Sequence, residues 1–167
     1  MSLRNKSSVE IDLASGDGRA AVTALLPLVD VVVTSWRPGV AERLGVSPGD
    51  IAAIAPHVVT CSISGFGTDG PLRDVPGHEA LVHALVGTTG EQIGMRPAPI
   101  FEGMPFAALG AGQLAVVGIL AALHRRGVDG RGRHIETSLY DGALLYLTML
   151  WGDSDAGGGM HTPGRSR

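Results

Sequence analysis

The sequence predicts an α/β fold, a Rossmann-like doubly wound parallel sheet that is incomplete within this chain, with additional helices toward its C-terminal end. Three observations carry that expectation. Short runs of β-branched residues alternate with helical patterns, as in "DVVVTSW" and "HVVTCSI". The runs lack polar alternation, which suits strands covered on both faces. The spacers between them have the length and start signals of crossover helices.

In chain order, "SVEIDLAS" (Ser8 to Ser15) reads as a first strand, because Val9, Ile11 and Leu13 alternate with Glu10 and Asp12. "GDGRAAVTALLPLVD" follows as a helix, with Asp17 near its start. "DVVVTSW" is the next strand, and "SPGDIAAIA" a helix with Ser47 as N-cap and Pro48 at its first position. His57 to Ile63 forms another buried strand. After Gly- and Pro-rich loops comes "MPFAALGAGQLAVVGILAALHRRG", uncharged from Pro105 to Leu123. Its length reaches the roughly 20 residues of a membrane span. Its glycines and alanines, with basic residues at one end only, favour a buried core helix instead. A strand "HIETSL" and a helix from about Tyr140 to Trp151 close the pattern. The expected organisation is one domain over 1–152 and a disordered tail over 153–167.

Composition narrows the function classes. The chain has 167 residues, 44% hydrophobic and 17% charged, which fits an ordered globular domain. A net charge of -3 gives no bias toward nucleic acid or an acidic membrane surface. The single cysteine, Cys61, excludes an internal disulfide and suits a reducing compartment. The polar start "MSLRNKSSVE" has no secretory pattern, so a cytoplasmic location is expected, with neither nucleic acid nor membrane as partner. His57, His83, His124, His134 and His161 show no metal-ligand spacing, and no metal is expected.

The stretch "DVVVTSWRPGVAERLGVSPGDIAAIAPHVVTCSISGFGTDGP", followed by "PGHEALVHALVG", resembles the class III CoA-transferase family of the CaiB/BaiF type. That family includes formyl-CoA transferases and α-methylacyl-CoA racemases. "VVGILAALHRRGVDGRGRHIETSLYDGAL" is similar to the segment that follows the active site in those proteins. The likeness runs roughly from Ser7 to Trp151 and implies coenzyme A as substrate, with an acyl-CoA and a carboxylic acid as reactants. It also implies a homodimer, or association with a longer family member, because this chain reads as the central piece of a longer protein.

The resemblance further implies site residues. Ser35, Trp36, Arg37 and Arg43 stand where the family contacts CoA, as do Ile11 and Asp12 at the earlier predicted strand end. General physics agrees: ligands bind beyond the carboxyl ends of parallel strands, aromatics stack on bases, and guanidinium groups pair with phosphates. Arg37 could equally cap or salt-bridge at the sheet edge. His78 and Glu79 match a pair that racemases fill with a histidine and an acid. The alternative is that they serve the N-terminus of the following helix, whose dipole favours an acid there. The transferases attack the thioester with an aspartate. Counting back from "GILAAL", that aspartate falls at Ala108, or at Ala107 with a one-residue shift. The nearest acid in sequence is Glu102. An alanine methyl forms no anhydride and carries no proton, so the chain is expected to be inactive alone. The alternative reading is a non-catalytic CoA-binding or scaffolding subunit. A carboxylate brought to this helix start from elsewhere in the chain would remove the ground for a silent site.

Overall fold

A computed structural model describes residues 4–91 and 103–147. Helix α1 (Gly16–Leu25) and a short 3-10 turn lead into strand β1 (Val31–Thr34). Helices α2 (Val40–Leu44) and α3 (Pro48–Ile54) connect it to β2 (Val59–Ser64). Then come α4 (Glu79–Val86), α5 (Thr88–Glu91), the long α6 (Phe106–Asp129), β3 (His134–Ser138) and α7 (Leu139–Leu147). The strands form one parallel sheet in the order β1-β2-β3.

The register shows why the sheet is doubly wound. Val32 pairs with Thr60 and Thr60 with His134, so these three share one face, and Ile135 belongs to the other. Val32 packs on the cluster of Leu26, Ile51, Ala55 and Val58, which places α3 on its face. A Cβ on Gly118 of α6 would stand 2.8 Å from the Ile135 side chain, which places α6 on the opposite face.

Local signals were sound where they were self-contained. Ser47 Oγ accepts from Asp50 N–H while the Asp50 carboxylate accepts from Ser47 N–H, a complete capping box behind Pro48. Ser15 caps α1 by accepting from Gly18 N–H at 2.9 Å, and Asp17 stands in the first turn as expected.

Three expectations need correction. "SVEIDLAS" is not a strand: it is irregular and mostly exposed, with Val9 at 74%. A strand needs a neighbour's backbone to bond, and β1 pairs only with β2 among the described residues. The chain instead turns on itself, Asp12 Oδ1 accepting from Ala14 N–H at 2.9 Å and Asp12 O from Ser15 N–H at 3.1 Å. Strand β1 is not covered on both faces, since Val33 is 53% exposed. Nor is α6 buried all round. Its inner face is small, with Ala107, Gly110, Ala111, Ala115 and Ala122 buried, while Leu109, Val116, Val117 and Leu120 point outward. By length and composition α6 would suffice to cross a membrane. The predicted last helix is described only as far as Leu147, and Trp151, the tail over 153–167 and Glu102 lie outside the described residues.

At the far end of α6, Asp129 accepts from Arg133, which holds its carboxyl well below the usual range near 3.8. A depressed folded pKa contributes stability that is complete above the unfolded value and is lost gradually as pH falls toward the folded one. Asp129→Asn should therefore flatten the acid limb of the stability profile below about pH 4. Urea unfolding midpoints of both proteins at pH 7, pH 3 and pH 2 test this: the gap between them should be widest at pH 7 and shrink progressively as the pH falls.

Candidate active site

The site is built where β1 and β2 end. β1 stops at Thr34, and Ser35, Trp36 and Arg37 continue beyond its carboxyl end. β2 stops at Ser64 and enters a loop whose two ends touch. A Cβ on Gly65 would lie 2.6 Å from Gly77 Cα, so only glycine at both positions lets the backbones meet. Gly65 O also accepts from Tyr140 N–H at 3.1 Å, tying the loop to the start of α7. This closure places His78 over the end of β2. Ser35, Trp36, Arg37, Ser64, Gly65, Gly77 and His78 line one cavity of about 370 Å³.

A second cavity of about 370 Å³ shares Trp36 and Arg37 and includes the polar face of the sheet. Its wall is hydrogen-bonded: Thr68 Oγ1 donates to Glu136 Oε2 at 2.6 Å, and His134 bridges Thr60 Oγ1 (2.9 Å) and Glu136 Oε1 (3.1 Å). An apolar cavity of about 160 Å³, lined by Leu13, Val22, Leu26, Val32 and Ile51, again has Trp36 in its wall. The indole therefore borders all three.

Four of the eight predicted site residues, Ser35, Trp36, Arg37 and His78, line one cavity. Among the described residues the Arg37 side chain has no ion pair or hydrogen bond, so the alternative of a structural salt bridge gains no support here. Arg43 lies in α2 and lines none of the three cavities. Ile11 and Asp12 also line none of them, and Asp12 is engaged in its own turn.

Glu79 stands elsewhere. Its carboxylate reaches from the first turn of α4 to the N-terminus of α6, accepting from Ala107 N–H at 2.7 Å and Ala108 N–H at 3.2 Å. Those donors need an acceptor, because α6 has Pro105 at its N-cap, no side-chain cap and no acid in its first turn. Phe106 N–H donates to Met104 O and Leu109 N–H to Pro105 O, so all four leading donors of α6 are satisfied. Glu79 is thus an N-terminal acid for a different helix from its own. An acid is therefore present at the helix start where sequence counting found only alanine, so the sequence-based ground for a silent site is removed, and what decides is whether this carboxylate faces a substrate cavity.

One member of this site was missed. His83, one of the histidines without metal-ligand spacing, is 3% exposed and its Nε2 lies 3.1 Å from Glu79 Oε1. Its Nδ1 lies 2.8 Å from Thr88 Oγ1. The signal was available, since Glu79 and His83 are four apart on a predicted helix and so share a face.

Comparison with known proteins gives the family and the fold. A family model described as CoA-transferase family III matches residues 1–167. An acetyl-CoA:oxalate CoA-transferase of Acetobacter aceti is 35% identical over 154 residues, covering 89% of this chain and 39% of the relative. A succinyl-CoA–D-citramalate CoA-transferase of Chloroflexus aurantiacus is also 35% identical, over 88% of this chain and 37% of the relative. Among solved structures, a CaiB/BaiF family protein from Brucella suis superposes with a TM-score of 0.85 at 29% identity, covering 96% of this chain and 42% of that one. This chain spans less than two-fifths of the length of those two curated relatives.

Proposed function

We propose, from the premise that this chain belongs to CoA-transferase family III, that it binds the CoA portion of acyl-CoA thioesters without carrying out the covalent transfer itself. The observation that carries the reading is the cavity shared by Ser35, Trp36, Arg37 and His78 at the ends of β1 and β2. An indole offers a stacking surface for adenine, and the Arg37 guanidinium a fork for phosphate. Bond formation at the thioester carbon needs a carboxylate facing the substrate. Ala108 supplies none, and the Glu79 carboxylate is bound to backbone N–H groups and lines none of the three cavities described.

Titration calorimetry with CoA tests the binding half. Trp36→Ala should weaken binding by about 10- to 100-fold, the loss expected for one stacked base. Arg37→Ala should weaken it by about tenfold or more. Equal affinity in all three proteins would refute this location for CoA.

A second reading has one observation in its favour. Glu79 Oε2 has a single donor, Ala108 N–H, and so keeps a lone pair for attack. Hydroxylamine trapping after incubation with acyl-CoA separates the two: the first reading gives no hydroxamate, the second gives one that Glu79→Gln abolishes. Association with a second copy or a longer family member belongs to the same proposal. The outward Leu109, Val116, Val117 and Leu120 of α6 support it.

A further inference from the structure

We propose that His83 is a positioning residue that holds the Glu79 carboxylate on the Ala107 and Ala108 N–H groups and thereby fixes the first turn of α6. A polar side chain this buried must be hydrogen-bonded or it destabilises the fold. Both ring nitrogens of His83 meet oxygens, Thr88 Oγ1 at 2.8 Å and Glu79 Oε1 at 3.1 Å. With its hydrogen on Nε2, the ring donates to Glu79; the Thr88 hydroxyl, which also donates to His83 O at 3.1 Å, shares its single hydrogen between that carbonyl and Nδ1.

The backbone prepares this arrangement. Gly87 ends α4 with φ +90, a left-handed conformation that suits glycine, and the next residue, Thr88, reaches back to the ring. The ring also meets the first residue of α6, Phe106, with centroids 6.4 Å apart, and Phe106 in turn meets Tyr146 of α7 edge-on. His83 therefore touches both the carboxylate that caps α6 and the side chain that begins it. Without the ring, Glu79 keeps only the two N–H donors, across a gap between helices that no other hydrogen bond described at this end spans. A flexible carboxylate so placed has water as a competing partner. The donors at stake include that of Ala108, the position where the family resemblance places the nucleophile.

The relevance of this helix start to acyl transfer rests on the function proposed above, but the test does not require CoA. In the full chain labelled with 15N, the Ala107 and Ala108 amides report the Glu79 hydrogen bonds directly. His83→Leu should raise hydrogen exchange at these two amides by about tenfold or more and shift both signals. Ala115 and Ala122, deeper in α6, should change by less than about twofold. His83→Gln, which keeps a donor, should restore much of the protection. Thr88→Val leaves the ring in place but unanchored and should move the same two signals to a smaller extent. It also serves should His83→Leu not fold. Unchanged Ala107 and Ala108 signals in Thr88→Val and in whichever His83 variants fold would overturn the positioning role. CoA failing to bind the wild type would overturn the proposed function and leave this role intact.

Discussion

Gly142→Ala is expected to lower the melting temperature by about 5–12 °C. Gly110 of α6 and Gly142 of α7 meet where the two helices cross. A Cβ on Gly142 would stand 2.2 Å from Ala111 N and 2.3 Å from Ala107 O. Both are backbone atoms, and neither can rotate aside as a long side chain would. The helices must separate, which opens the packed cluster of Val82, Ala107 and Ala143. Overpacking of this kind costs roughly 1–3 kcal/mol, against a total stability of about 5–15 kcal/mol for a domain. The matched control is Gly112→Ala, two residues from Gly110 in the same helix, where a Cβ meets nothing within 4 Å. There the alanine only improves helix propensity and should stabilise by about 0.5–1 kcal/mol. Thermal unfolding followed by circular dichroism checks both. Shifts of the same sign would mean that this helix crossing does not exclude a methyl group.

That contrast also marks how far the fold was legible. Ser47, Pro48 and Asp50 announced α3 because a capping box closes within four residues, and no distant partner decides it. The apolar run from Pro105 predicted a helix for the same reason. Which side of α6 would be buried was not legible. The hydrophobic large residues suggested burial, yet the packed side is made of Gly and Ala, because only small residues let α7 and the sheet approach so closely. "SVEIDLAS" carried a true strand alternation without a strand, since pairing depends on a neighbour's backbone and not on the segment's own pattern. The site divides in the same way. Ser35, Trp36 and Arg37 follow a strand end, and strand ends can be read in one dimension. The meeting of Gly65 with Gly77 that brings up His78 is a closure between two loop ends, visible only in three dimensions. Glu79 stands in the first turn of α4 behind His78 at its N-cap, as the pattern suggested, but its hydrogen bonds also reach the start of a second helix at Phe106, far away in sequence.

On the function proposed above, Ala108→Asp should give the chain an acyl acceptor that the alanine does not supply. Ala108 is exposed on the first turn of α6, where an aspartate is favoured by the helix dipole and needs no space cleared in the core. Its carboxylate would attack the thioester carbon, the C–S bond would break, and CoA would leave as the thiolate, giving an anhydride on the new side chain. Hydroxylamine would then take the acyl group as a hydroxamate and regenerate the aspartate. The existing Glu79 matters here, because its carboxylate already accepts from Ala108 N–H. A neighbouring carboxylate makes the new aspartate harder to ionise, and only the ionised form attacks. Trapping should therefore rise with pH until the new aspartate is ionised. Relative to the wild type, trapped hydroxamate should increase on the order of 10³-fold or more, the scale by which nucleophiles govern covalent steps. Ala108→Asn has the same shape without the charge and should trap nothing. Trapping in Ala108→Asp that persists unchanged in Ala108→Asn would show that the carboxylate is not the acceptor. A wild-type signal lost on Glu79→Gln would instead move the nucleophile to the carboxylate that already caps α6.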